Sequence, residues 1–128
     1  MFKSIATLKY YEDWLIAYID PEICRYYFSL IPKYYYAKRQ MYPPHITVVR
    51  KGRDKPNYKF WNKYEDQQIE FFYDPIIQYD SVYFWLNVFS KQLDVIREEL
   101  DLSMDSYLLP PTGFRKTFHT TLGNMKNP

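Results

Sequence analysis

Two histidines make up the whole imidazole complement of this chain, and both open the same tetrad: His45-Ile46-Thr47-Val48 and His119-Thr120-Thr121-Leu122. On a β-strand, residues two apart project to the same face, so each tetrad delivers an imidazole and a hydroxyl together. Brought into one cleft, that set suits phosphodiester cleavage. One imidazole takes a proton from the attacking oxygen, the other gives one to the leaving oxygen, and the Thr47 and Thr121 hydroxyls hold non-bridging oxygens. Histidine titrates near neutrality, so one ring can be neutral while the other is charged. A lone histidine on a strand is ordinarily a packing or surface residue. The duplication of the tetrad is what singles out catalysis.

Other chemistries fit poorly. Two histidines and the single distant Cys24 give no zinc-ligand spacing. Three glycines form no phosphate-cradling loop, no nucleophile elbow is present, and nothing marks out a catalytic carboxylate pair. No metal and no cofactor are therefore expected. Cys24 has no intrachain disulfide partner and lies in an apolar helical pattern, which makes it a packing residue. A net charge of only +2 argues against binding long duplexes but allows a local basic pocket.

Aromatic residues make up 21% of the chain, with 15 tyrosines among them, so rings are available both for the core and for stacking on bases. Tyr10, Tyr11 and Trp14 stand before or at the first expected strand, Tyr42 precedes His45, and Phe114 precedes His119. Tyr10 or Tyr11 is the preferred stacking residue, with core packing as the alternative. Lys38, Arg39, Arg50, Arg115 and Lys116 flank the tetrads in sequence. The expected substrate contacts are Tyr10, Tyr11, Tyr42, Arg115 and Lys116. The run from Arg50 to Lys55 reads as an exposed turn rather than a phosphate cradle.

The elements that must position these groups can be read from periodicity. Residues 14–19 (WLIAYI) read as a buried strand, and Asp20-Pro21 caps a helix that Pro32 ends. Residues 45–50 form a strand. Residues 82–89 (VYFWLNVF) form another, Ser90 caps a helix from 91 to about 100, and residues 116–122 return as a strand. Residues 68–73 and 76–79 supply one or two more strands between the halves. Strand, helix, loop and histidine-bearing strand thus occur twice, in pseudo-repeats at about 10–56 and 80–128 of a single domain spanning 1–128. The expectation is an α+β domain, two-lobed and pseudo-symmetric. No stretch approaches the roughly 20 apolar residues of a membrane span, and charges interrupt any leader-like run at the start, so the cytosol is the expected location (the host cytosol if viral).

With those residues in place, the chain resembles the two-histidine (2H) phosphoesterase superfamily, defined by two His-x-Thr/Ser-aliphatic motifs on paired strands. The resemblance implies a bilobal fold with antiparallel sheets lining a central cleft and helices outside. It also implies His45 and His119 as acid and base, phosphate binding by Thr47 and Thr121, and no metal requirement. Small size and a Tyr- and Lys-rich composition are similar to the phage branch that destroys cyclic oligonucleotide signals of bacterial defence. The implied activity is cleavage of 3′–5′ bonds in cyclic di- or trinucleotides. Opening of 2′,3′-cyclic phosphates or 2′–5′ linkages on RNA ends stands beside it, as does a nucleotide-binding sponge without turnover. The partner in each case is a small nucleotide.

Overall fold

The computed structural model describes residues 1–126. Alternation along the chain builds the strands. In β1 (Phe2–Tyr10), Ala6 and Leu8 are buried while Lys3 and Ile5 stay exposed. β2 (Leu15–Ile19) follows and runs into α1 (Pro21–Ser29), where Asp20 accepts a hydrogen bond from the Glu22 amide and Pro21 occupies the first turn. The short β3 (Lys38–Arg39) and β4 (His45–Val49) complete the first half. β5 (Gln68–Tyr73), the two-residue β6 (Gln78–Tyr79) and β7 (Tyr83–Phe89) come next. Ser90 then caps α2 (Lys91–Glu99) by accepting from the Leu93 amide, and β8 (Phe118–Asn124) ends the fold.

All pairings are antiparallel, in the order β3-β8-β4-β2-β1-β5-β7-β6, and β7 pairs in addition with β8. That last pairing closes six strands (β8, β4, β2, β1, β5 and β7) into a barrel, with β3 and β6 as extra strands. The two-lobed, pseudo-symmetric α+β arrangement with sheets lining a central cleft is therefore not what forms. Strand, helix and histidine-bearing strand do occur twice in order, but the halves share their hydrogen bonds. β8 runs beside β7 from Phe118 to Asn124 and meets β4 at Thr120. With both edges of β8 satisfied, no free seam separates two lobes. The helices are only nine residues each, so the protein is mostly β. The expectation also lacked β1, which pairs with β2 and β5 and carries the sheet between the two halves.

One face of the barrel sheet is apolar. Leu8, Ala17, Ile46, Val48, Leu86, Val88, Phe118 and Leu122 lie on it and join Cys24 and Tyr27 of α1 and Leu93 and Ile96 of α2 in a single core. Cys24 is buried there, its Sγ 3.6 Å from Thr120 Oγ1. Arg97 of α2, 2% exposed, pins the far end of β4. Its guanidinium donates to the carbonyl oxygens of Val48 (2.7 Å) and Ser103 (2.6 Å) and to the Asp54 carboxylate (3.1 Å). No helix among the described residues is long and apolar enough to cross a membrane.

Candidate active site

The pairing of β4 with β8 decides the geometry of the two tetrads. Ile46 lies directly opposite Thr120, and both are buried on the core face. The residues on either side must project from the opposite face. Antiparallel register then sets His45 beside Thr121 and Thr47 beside His119. The two histidines become diagonal neighbours, a relation that places residues about 7–8 Å apart with their Cβ atoms somewhat closer. That spacing admits a phosphoryl group between the rings, with one threonine hydroxyl on each side.

Each imidazole has a distinct setting. His45 Nδ1 lies 2.7 Å from the Pro43 carbonyl oxygen. A carbonyl only accepts, so Nδ1 carries the proton and Nε2 is the nitrogen that exchanges with substrate. Pro43 and Pro44 stiffen the approach to β4 and so hold this donor–acceptor pair in register. The indole of Trp14 stands edge-on to the His45 ring, with centroids 5.8 Å apart. His119 is accessible to solvent yet surrounded in depth by protein atoms. Dehydration first, then the positive charges of His45, Lys116 and Arg50, push its pKa below the ordinary histidine value. His119 therefore favours the neutral form.

A cavity of about 850 Å³ opens beside His119 and Thr121, in the size range of small-molecule sites. Its other walls come from Gln40 just after β3, from β6, β7 and Asp80 between them, and from the segment that leads to β8. Trp85, Asn87 and Gln78 line it, and sequence reasoning missed all three as site residues. A signal for two of them was present. In the run of residues 82–89, Tyr83, Trp85 and Asn87 fall in phase with one another and out of phase with the hydrophobic core residues Phe84, Leu86 and Val88. A polar Asn in phase with Trp marks the face turned away from the core.

The expected substrate contacts are dispersed. Tyr10 packs edge-on to Trp61 at 5.0 Å, its phenol oxygen accepts from the Tyr64 amide, and it contributes to the core rather than to the site. Tyr11 stays near the His45 flank, its phenol 2.8 Å from that of Tyr18 and its ring 5.5 Å from Trp14. Tyr18 in turn lies opposite His45 in the β2–β4 register. Tyr42 is exposed and does not line the cavity. Arg115 pairs with Glu98 of α2. Lys116 donates from Nζ to the Asp105 carbonyl oxygen, so it reaches His119 through its charge and not through the cavity wall. The turn from Arg50 is exposed and is closed by Arg50 on Asp54.

Among the described residues, no group of three or more His, Cys, Asp or Glu side chains converges as a metal site requires. Comparison with family models, with curated proteins and with solved structures gave no match to this chain.

Proposed function

We propose that this protein is a phosphodiesterase of the two-histidine type that works without a metal and cleaves 3′–5′ bonds in cyclic di- or trinucleotide signals. The observation that carries this reading is the quartet His45, Thr47, His119 and Thr121 on one face of the adjoining strands β4 and β8. His119, held toward neutrality, is the general base, and it takes the proton from the ribose 2′-hydroxyl next to the scissile phosphate. The freed 2′-oxygen attacks phosphorus, and the bond from phosphorus to the 5′-oxygen breaks. His45, its Nδ1 proton anchored on the Pro43 carbonyl, donates the Nε2 proton to that leaving oxygen. The products are a 2′,3′-cyclic phosphate and a free 5′-hydroxyl. Thr47 and Thr121 hold the non-bridging oxygens throughout. The substrate supplies its own nucleophile within reach of phosphorus, which explains why two imidazoles suffice.

The same quartet is chemically competent to open 2′,3′-cyclic phosphates on RNA ends. A sponge that binds without turnover has no use for two proton-transferring groups. In a bacterial cytosol, removal of cyclic oligonucleotides would silence a defence signal. The test is a turnover panel of cyclic dinucleotides, cyclic trinucleotides, 2′,3′-cyclic mononucleotides and matched 2′-deoxy cyclic dinucleotides, run in excess EDTA. Ribo cyclic oligonucleotides should be cut to products ending in a 2′,3′-cyclic phosphate, while the deoxy analogues resist. Equal cleavage of ribo and deoxy forms, or loss of activity restored only by a divalent ion, would remove the proposed mechanism.

A further inference from the structure

The face that carries the quartet continues across β8 onto β7 and β6. In the β7–β8 register Asn87 lies opposite His119 and Trp85 opposite Thr121. In the β6–β7 register Gln78 lies opposite Trp85. Two rows of side chains therefore cross the strands, Thr47–His119–Asn87 and His45–Thr121–Trp85–Gln78. With strands about 4.8 Å apart, Trp85 stands one strand spacing from Thr121 and Gln78 about two. A phosphate seated on the quartet places the base of an adjoining nucleoside over this part of the face.

The chemistry of the wall suits a flat, uncharged heterocycle. The indole Nε1 of Trp85 donates to Asn87 Oδ1 at 3.0 Å. An indole N–H can only donate, so the amide oxygen of Asn87 is the atom that faces it, and the NH2 group remains as the donor left for a ligand. Asn87 is itself 6% exposed, which makes this a fixed group and not a mobile surface amide. Among the described residues, the carboxylate that lines the cavity is that of Asp80. Its Oδ1 is held by the Val82 and Tyr83 amides at 3.0 and 2.7 Å. A carboxylate there repels a second phosphate and leaves room for a neutral base. Tyr107, 97% exposed at the rim, offers a second ring over the opening.

We infer that the cavity beside His119 is a nucleobase subsite, in which the base next to the scissile phosphate lies on the Trp85 indole with the Asn87 and Gln78 carboxamides at its edge. The inference rests on the phosphodiesterase reading for what occupies the quartet, and it names the part of the substrate that the neighbouring cavity selects.

The test is equilibrium binding without turnover. Adenosine and uridine 3′-monophosphates are titrated calorimetrically beside ribose 5-phosphate, and the affinity ratio is taken within each variant. The nucleotides should bind roughly 5- to 150-fold more tightly than the base-free probe, the worth of one base on an aromatic ring. Trp85→Phe should keep most of that ratio and Trp85→Ala should abolish it. A wild-type ratio near one, or a ratio that survives in Trp85→Ala, overturns the subsite. If Trp85→Ala does not fold, the indole N–H resonance of Trp85 in the wild type decides. It is identified by its absence in Trp85→Phe, and it should shift with the nucleotides and stay put with ribose 5-phosphate; failure to shift overturns the proposal equally. A protein that keeps the ratio but turns nothing over loses the reaction and retains the subsite. One that cleaves its substrate with no ratio keeps the reaction and loses the subsite.

Discussion

At the scale of the residue, the setting of His119 has a measurable consequence. The protein atoms packed around His119 weaken the hydration of its charged form, and the charges of His45, Lys116 and Arg50 add to this, so it gains a proton only below the ordinary histidine value of about 6.5. As the general base it is active when neutral, which puts the acidic limb of the kcat/KM profile below pH 6.5. Lys116→Gln removes one of the charges that hold the proton off and should move that limb upward. An unmoved limb in a folded Lys116→Gln protein would separate His119 from the base role. Because the chain has only two histidines, a single substitution assigns the His119 resonance, and NMR titration checks the downward shift of that group directly. Replacing either histidine by alanine should cost roughly 10²–10⁴-fold in turnover. Since both serve one step, the double variant should fall little further than either single. Near wild-type rates in two folded single variants would end the mechanism. These residues were legible in the sequence because their types are rare in it and their tetrads repeat. Tyr10 was not, since a tyrosine that packs on Trp61 looks the same in one dimension as one that stacks on a base.

At the scale of the element, β8 does the most, because it carries one tetrad and touches three other strands. Its C-terminal end depends on Gly123, where a Cβ would lie 2.5 Å from the Lys38 carbonyl oxygen and 2.8 Å from the Phe28 ring. Neither neighbour is a flexible tip: one is the backbone of β3 and the other a ring of α1. Gly123→Ala should therefore destabilise by about 1–3 kcal/mol, the usual cost of overpacking, and displace β3 and α1 from β8. Urea unfolding measures the first effect. Undiminished stability would mean that β3 recedes freely. The elements themselves were legible to different degrees. Asp20-Pro21 and Ser90 mark both helix starts through capping chemistry that acts within four residues. β1 left a weaker trace, since its buried positions include the small Ala6 and its open face includes Ile5, which blurs the alternation.

At the scale of the molecule, Asp54 and Arg97 join α2, the end of β4 and the start of the connection to β8. Burial alone would raise the Asp54 carboxyl, but hydrogen bonds from Arg50 and Arg97 outweigh it and hold the group well below the ordinary carboxylate range. A carboxyl with a depressed folded pKa stabilises fully above its unfolded value of about 3.9, and that contribution is lost as pH falls from there through the folded value. Asp54→Asn should cost about 3–5 kcal/mol at pH 7, toward the lower figure because Arg97 keeps its carbonyl partners. The difference from wild type should shrink as pH drops below about 4. Denaturant melts across pH 2.5–7 follow this, and a gap that stays constant with pH would show that the pair carries no linked proton.

What the sequence determined by itself is whatever depends on residue identity and short spacing: the two tetrads, both capped helices, the strand periods, and which face each histidine shares with its threonine. Register between distant segments is different. Whether Ile46 meets Thr120, and so whether the imidazoles lie diagonally across one strand gap, depends on hydrogen bonds between segments far apart in the chain. The closing of β7 on β8, which replaced the expected two lobes by one barrel, is of the same kind. So is the recruitment of Trp85, Asn87 and Gln78 to the His119 flank, since each reaches the site through a strand-to-strand partner. Backbone donors and acceptors are alike in every residue, so side-chain pattern says that a strand exists but leaves its partner to be chosen by the packing of the whole chain.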